Sequence, residues 1–260
     1  MKKFVPWLLP VLLLAVFVIS ATGDNLTAKQ IIIRSKQACQ TKSSINELTM
    51  SLINKRNEKR QIKMLSRGKT VNGLSRTQTT FLYPDEVKGT KFLMVENANR
   101  EADMTIFIPD IGHPRTISSK QRQQSYMGSD FAYGDLEALD PEKGVHVLQP
   151  DGAYNGQPCY VIETTFKPGT GPGYAKMIDW FRKADFAPVM TEFYDKDGAL
   201  KKVKTIPEIY LQGGVLILKK MVMQDKQLNH QTIIEITKSQ QRNIEDFYFT
   251  VQFLAQTDRL

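Results

Sequence analysis

Ser125, Ser129 and Asp130 stand close together in the chain, and there are three histidines, His113, His146 and His230. Serine, acid and histidine are the parts of a nucleophilic hydrolase, but such a triad is defined by geometry and not by sequence proximity. No G-x-S-x-G elbow frames either serine, and no H-E-x-x-H pair is present. Hydrolysis is therefore the weakest of the readings that follow. The run Gly169-Thr170-Gly171-Pro172-Gly173 has the glycines of a phosphate cradle. It lacks the following G-K-[ST], and Lys176 opens a strand-like segment, so the run reads as a hairpin tip. Cys39 and Cys159 are the two cysteines. Without a C-x-x-C or a Cys/His cluster they do not form a zinc site, and no cofactor is expected. In an oxidising compartment they could bond, or stay as two buried thiols.

Binding is better represented than catalysis. Residues 114–136, PRTISSKQRQQSYMGSDFAYGDL, combine three basic side chains with a run of large apolar ones. Arg115, Lys120 and Arg122 are candidates for contact with anionic head groups or an acidic partner. The alternative is a solvated basic loop. Tyr126, Met127, Phe131 and Tyr133 are candidates for contact with an apolar ligand, as a gate, together with Phe107, Met94 and Trp180. Asp130 or Ser129 can cap a helical turn there. Ten methionines add adaptable apolar surface, most of it on strand-like segments, where ordinary packing accounts equally for any one of them.

The elements that must position these residues follow from the pattern. Lys2 and Lys3, an uncharged run over 5–20, and small residues at 20–23 form a secretory leader, with cleavage expected after Gly23 or Ala21. No cysteine lies at the cut to carry a lipid anchor. Losing two lysines takes the formal net charge from +8 to about +6, enough to favour an anionic surface but too diffuse for nucleic acid. One domain over 24–260 is expected, with no linker or internal repeat. Thr27 and Gln30 form a capping box that opens a helix over 26–40. From Leu48 onward the apolar residues alternate with a period of two, which predicts about ten or eleven strands, mostly an antiparallel meander. The segment 247–253 is included among them. Asn155-Gly156 and Asp197-Gly198 mark hairpin turns. The helix 26–40 and helical turns near 84–88, 129–139 and 240–246 are available to cover the sheet. The expected fold is mainly β with some α: a strongly curved antiparallel sheet or half-open β-barrel with a helical lid. A packed sheet-on-helix sandwich without a cavity fits the periodicity equally.

Three blocks, FLYPDEVKGTKFLMVE (81–96), MTIFIPDIGHPRTISSKQRQQSYMGSDFAYGDL (104–136) and YAKMIDWFRKADFAPVMTEFYDKDGALKK (174–202), resemble the outer membrane lipoprotein-sorting protein domain family. That family is similar to the periplasmic lipoprotein carriers LolA and LolB. SYMGSDFAYGDL is the most specific of the matching stretches. In 104–108 the chain departs from the family pattern, with Met104 and Phe107 where a Trp or Tyr is usual. The resemblance implies an open barrel with a helical lid and an apolar cavity, in a periplasmic, non-enzymatic carrier of lipid or acylated lipoprotein. It implies transient contact with a membrane surface and delivery from an inner-membrane transporter. A basic residue near the mouth holds the lid in dedicated carriers, and Arg115 and Arg122 are the candidates by position. The alternative is an envelope interaction protein whose barrel is filled by its own side chains.

Overall fold

Period-two alternation produces strands wherever one face can be buried, and here it produces thirteen of them in one antiparallel sheet. The computed structural model describes residues 26–98, 100–166 and 173–256. The leader and nearly all of the glycine-rich run 169–173 lie outside the described residues. A first meander comprises β1 (Ser43–Ile53), β2 (Lys59–Val71), β3 (Leu74–Tyr83), β4 (Lys91–Val95), β5 (Asp103–Phe107) and β6 (Arg115–Thr116). A second comprises β7 (Val145–Tyr154), β8 (Gln157–Thr165), β9 (Lys176–Arg182), β10 (Pro188–Tyr194), β11 (Leu200–Gln212), β12 (Val215–Asp225) and β13 (His230–Gln241). The first strand of one meander pairs with the last of the other, β1 with β13. The edges of the sheet are therefore β6 and β7.

This count exceeds the ten or eleven strands expected. Two-residue β6 is too short to show a period. β7 carries Pro150 and Gly152, and its pairing is broken between Gln149 and Gly152, which blurs its alternation. The segment 247–253 is not a strand: Asp246–Phe249 is a 3-10 turn and Val251–Ala255 is helix α2. The N-terminal helix forms as expected. It is α1 (Ala28–Ala38), with both halves of the Thr27/Gln30 capping box made.

Register carries the apolar residues onto one face. Met50 lies opposite Ile62 on β2 and opposite Ile234 on β13. Phe92 on β4 faces Ile106 on β5, and Met94 faces Met104. With Met64, Phe81, Met177, Phe193 and Met223 they form the largest core cluster. On the other face, Leu93 and Phe107 are covered by Ile244, Phe249 and Leu254 from the C-terminal segment. Ile31 and Ile32 of α1 pack on Ile162 and Phe181, at the β8–β9 end of the sheet.

Ile62 has no exposed surface, whereas Val147 on the edge strand is 48% exposed. Ile62→Ala should lower the unfolding free energy in urea by ~2–5 kcal/mol, and Val147→Ala by less than ~0.5 kcal/mol. Similar losses at both positions would contradict this assignment of core and edge.

Candidate functional site

Because β6 and β7 are the two edges, residues 117–144 must travel from one side of the sheet to the other. Thirteen strands at ~4.8 Å spacing would put those edges about 58 Å apart in a flat sheet. The connection instead lies on the apolar face. It begins with a 3-10 turn, Gln121–Gln123, and then folds into a small hairpin. Tyr126 N–H donates to the Phe131 carbonyl at 2.7 Å, and Tyr133 N–H donates to the Gln124 carbonyl at 3.1 Å. Met127 (φ 54°) and Gly128 (φ 79°) form its tip, both in the left-handed region. They are the central residues of the turn Tyr126–Ser129, closed by Ser129 N–H donating to the Tyr126 carbonyl at 3.0 Å, and a turn of this hand needs positive φ at both. Gly128 adopts it freely, and Met127 does so at a cost of ~1 kcal/mol or more.

Aromatic packing seats the hairpin. Tyr126 meets Phe92 edge-on with ring centres 5.3 Å apart, Tyr133 edge-on at 5.4 Å, and Phe81 at 5.8 Å. Phe131 is fully buried in the same cluster. Burial raises the Tyr126 and Tyr133 phenols above the ordinary tyrosine range.

Polar groups then fix the ends. Asp130 N–H donates to Thr232 Oγ1 at 2.9 Å, and the Thr232 hydroxyl donates back to Asp130 Oδ2 at 2.7 Å. Lys202 Nζ donates to the Asp130 carbonyl at 2.6 Å and lies 3.8 Å from Asp135 Oδ2. Asp135 Oδ2 also accepts from Ala132 N–H at 2.8 Å and from the Tyr174 hydroxyl at 3.0 Å. Upstream, Arg122 donates to Glu137 and to the Ala102 carbonyl, and pairs with Glu101 at 3.4 Å. Downstream, residues 134–140 roof a cavity of about 80 Å³ whose floor is Met177, Asp179, Phe193 and Lys204.

The expected contact residues divide between the faces and clusters of the sheet. Tyr126, Phe131, Tyr133 and Met94 share one cluster, and Met127 packs against it. Phe107 lies in the cluster on the opposite face, because its neighbour Ile106 takes the inward position. Trp180 packs with Cys159, Ala187 and Val189 in a separate cluster, since the inward positions of β9 are Met177, Asp179 and Phe181. Arg115 and Lys120 are exposed, but Arg122 is only 6% exposed and is consumed by its partners. It clamps the start of the crossing segment and is not presented to an anionic surface. Ser125 and Ser129 donate to the backbone carbonyls of Ser129 and Phe131. His230 lies 3.9 Å from Asp130. Cys39 and Cys159 are free thiols, and Cys39 packs against the cluster that holds Cys159.

Asp135, Asp179, Lys202, Lys204 and Thr232 were not among the expected residues. Their signal is an inversion of the strand pattern: charged side chains occupy the inward phase of β9 and β11. Lys204 faces Thr191, which faces Asp179; Lys202 faces Phe193.

Burial raises the Asp130, Asp135 and Asp179 carboxyls above the ordinary aspartate range, against the opposing pull of Thr232, Lys202 and Lys204 respectively. A raised folded-state value means that the folded protein holds the proton more tightly than the unfolded one. The contribution of such a group is greatest below its unfolded value of ~4 and declines as pH rises toward the folded value. The stability difference between the wild type and Asp135→Asn should therefore shift against the wild type as pH rises from 4 upward in urea titrations. A difference that is flat or moves the other way would refute the burial argument at Asp135.

A family model described as "Uncharacterized protein" matches residues 73–256. No curated protein is significantly similar to the chain. Among solved structures, a DUF1329 family protein from Desulfovibrio piger ATCC 29098 superposes with a TM-score of 0.81 at 23% identity, covering 87% of this chain and 97% of that one. A structure described as an outer membrane lipoprotein-sorting protein domain, from Vibrio parahaemolyticus, gives 0.82 at 27% identity over 88% of this chain and 98% of that one. A LolA superfamily protein from Nitrosomonas europaea gives 0.71 at 19% identity over 88% and 99%. The sheet described above is thus shared with these proteins, and the chain belongs to the outer membrane lipoprotein-sorting protein domain family.

Proposed function

We propose that the protein is a non-enzymatic carrier of acyl chains, exported to the periplasm with its leader removed after residue 23, and that the aromatic hairpin at 124–133 is its gate. The observation that carries this reading is that a connecting segment with little regular structure, and not the sheet itself, covers the apolar face. Tyr126, Phe131 and Tyr133 occupy the place an acyl chain would take, and the residual cavity of about 80 Å³ marks where the cover is incomplete. Uptake exchanges one apolar occupant for another. Re-exposing three large side chains costs ~5–9 kcal/mol, while a chain of about fourteen methylenes gains ~11 kcal/mol on leaving water. The exchange is favourable for a full-length acyl chain and unfavourable for a short one, which selects lipid or acylated lipoprotein as cargo.

The residual helical lid of this reading is α1, tied to the crossing segment by Lys29–Glu142 at 2.6 Å. Arg115 and Lys120, both exposed, are the groups left to touch a membrane surface or an inner-membrane transporter that supplies cargo. The same aromatic cluster favours a second reading, in which the hairpin is permanent filling and the protein is an envelope interaction module.

Opening separates the two. The chain from Asp24 should be incubated with phospholipid vesicles and with an acylated peptide, then followed by native mass spectrometry and amide exchange. A carrier gains the mass of bound lipid and loses protection at the Tyr126 and Tyr133 amides in the same step. A protein that binds neither probe and keeps both amides protected is the filled module.

A further inference from the structure

We propose that the cavity beneath residues 134–140 is a head-group site for a primary ammonium, so that the preferred cargo is an acyl lipid with an amine-bearing head group. This deepens the carrier reading and rests on it. Five carboxyls line the cavity, and two of them, Asp135 and Asp179, are buried. The Asp135 side chain has no exposed surface, and Asp179 is 6% exposed. Each is held rigidly through one oxygen only. Asp135 Oδ2 accepts from Ala132 N–H and the Tyr174 hydroxyl, and Asp179 Oδ1 accepts from the Thr191 hydroxyl at 2.7 Å. Asp135 Oδ1 and Asp179 Oδ2 have no hydrogen-bond partner among the described residues.

A buried acceptor without a donor costs ~1–3 kcal/mol, and two in one cavity define what the missing group must supply. It must bring N–H or O–H donors. It must also carry positive charge, because the five lining carboxylates outnumber the four cations that face them, Arg122, Lys143 and Lys204 in the wall and Lys202 at 3.8 Å from Asp135 Oδ2. The remaining ionic groups of the wall are already committed to each other: Arg122 and Lys143 to Glu137, and Lys143 also to Asp140. A calcium-sized cation needs six to eight oxygens, which the two unpartnered carboxylate oxygens and the lysines opposite them do not offer. A primary ammonium has three donors and fits the available room. Lys204 then meets the adjoining anionic phosphate, and Leu139, Phe166, Met177 and Phe193 receive the first part of the chain. A trimethylated head group carries the same charge without a single donor, so it leaves both oxygens unsatisfied and is rejected.

The test offers the chain from Asp24 vesicles with equal phosphatidylethanolamine and phosphatidylcholine of identical acyl composition, and reads bound lipid by native mass spectrometry. Tenfold or greater enrichment of the ethanolamine lipid is expected, with the ratio falling toward one in Asp179→Asn. Uptake of both lipids in equal amounts by the wild type overturns the ammonium site and leaves the carrier reading standing. Uptake of neither overturns the carrier reading, and this inference with it. The wild-type ratio decides the matter even if the variant does not fold.

Discussion

One topological constraint organises this protein: a thirteen-stranded sheet whose two edge strands are neighbours in the chain, joined by residues 117–144. Strands β1 and β13 meet in the middle of the sheet, so the chain's own middle must connect its outer edges. A connection of that length cannot run round the outside of a flat sheet economically. Crossing the apolar face solves two problems at once, since it closes the path and removes Met50, Phe81, Phe92 and Met223 from water. The hydrophobic drive that covers the face is thereby assigned to a segment with little regular structure of its own.

That assignment explains the polarity of the anchors. A cover made of backbone turns has many unpaired groups, and in a buried setting each must find a partner. Thr232 and Lys202 reach inward from the sheet to supply them, and Tyr174, just before β9, donates to the Asp135 carboxylate. Desolvating these charges opposes their attraction, so the anchors specify where the segment sits more than they strengthen it. Apolar packing supplies most of the adhesion.

The two faces of the sheet are closed by different means. The C-terminal segment seals the face opposite the hairpin, where Lys91 Nζ donates to the Phe253 and Gln256 carbonyls and lies 4.6 Å from the Phe253 ring centre. There a buried charge is satisfied by helix-end carbonyls, and the seal includes α2. On the hairpin side, Asp135 Oδ1 and Asp179 Oδ2 have no hydrogen-bond partner among the described residues. The sheet edges differ as well: β6 is only two residues long, while β7 carries a proline and a broken register, devices that discourage pairing with another chain.

The sequence by itself determined the period-two strands, the capped helix at Thr27, the hairpin turns and the importance of 114–136, because each is set by local sterics and by which side chains alternate. Three blocks, SYMGSDFAYGDL the most specific of them, also pointed to the family. Tertiary structure decided what local pattern cannot encode. It ruled that 247–253 is a turn and helix strapped to Leu93 and Phe107, that Phe107 and Trp180 lie outside the cluster of Tyr126, Phe131 and Tyr133, and that Arg122 is buried among carboxylates. It also brought Asp135 from the crossing segment over Asp179 and Lys204 from two strands. The reason is physical. Facing and adjacency in a sheet depend on pairing between strands far apart in the chain, and a charged residue reads as surface until the register turns it inward.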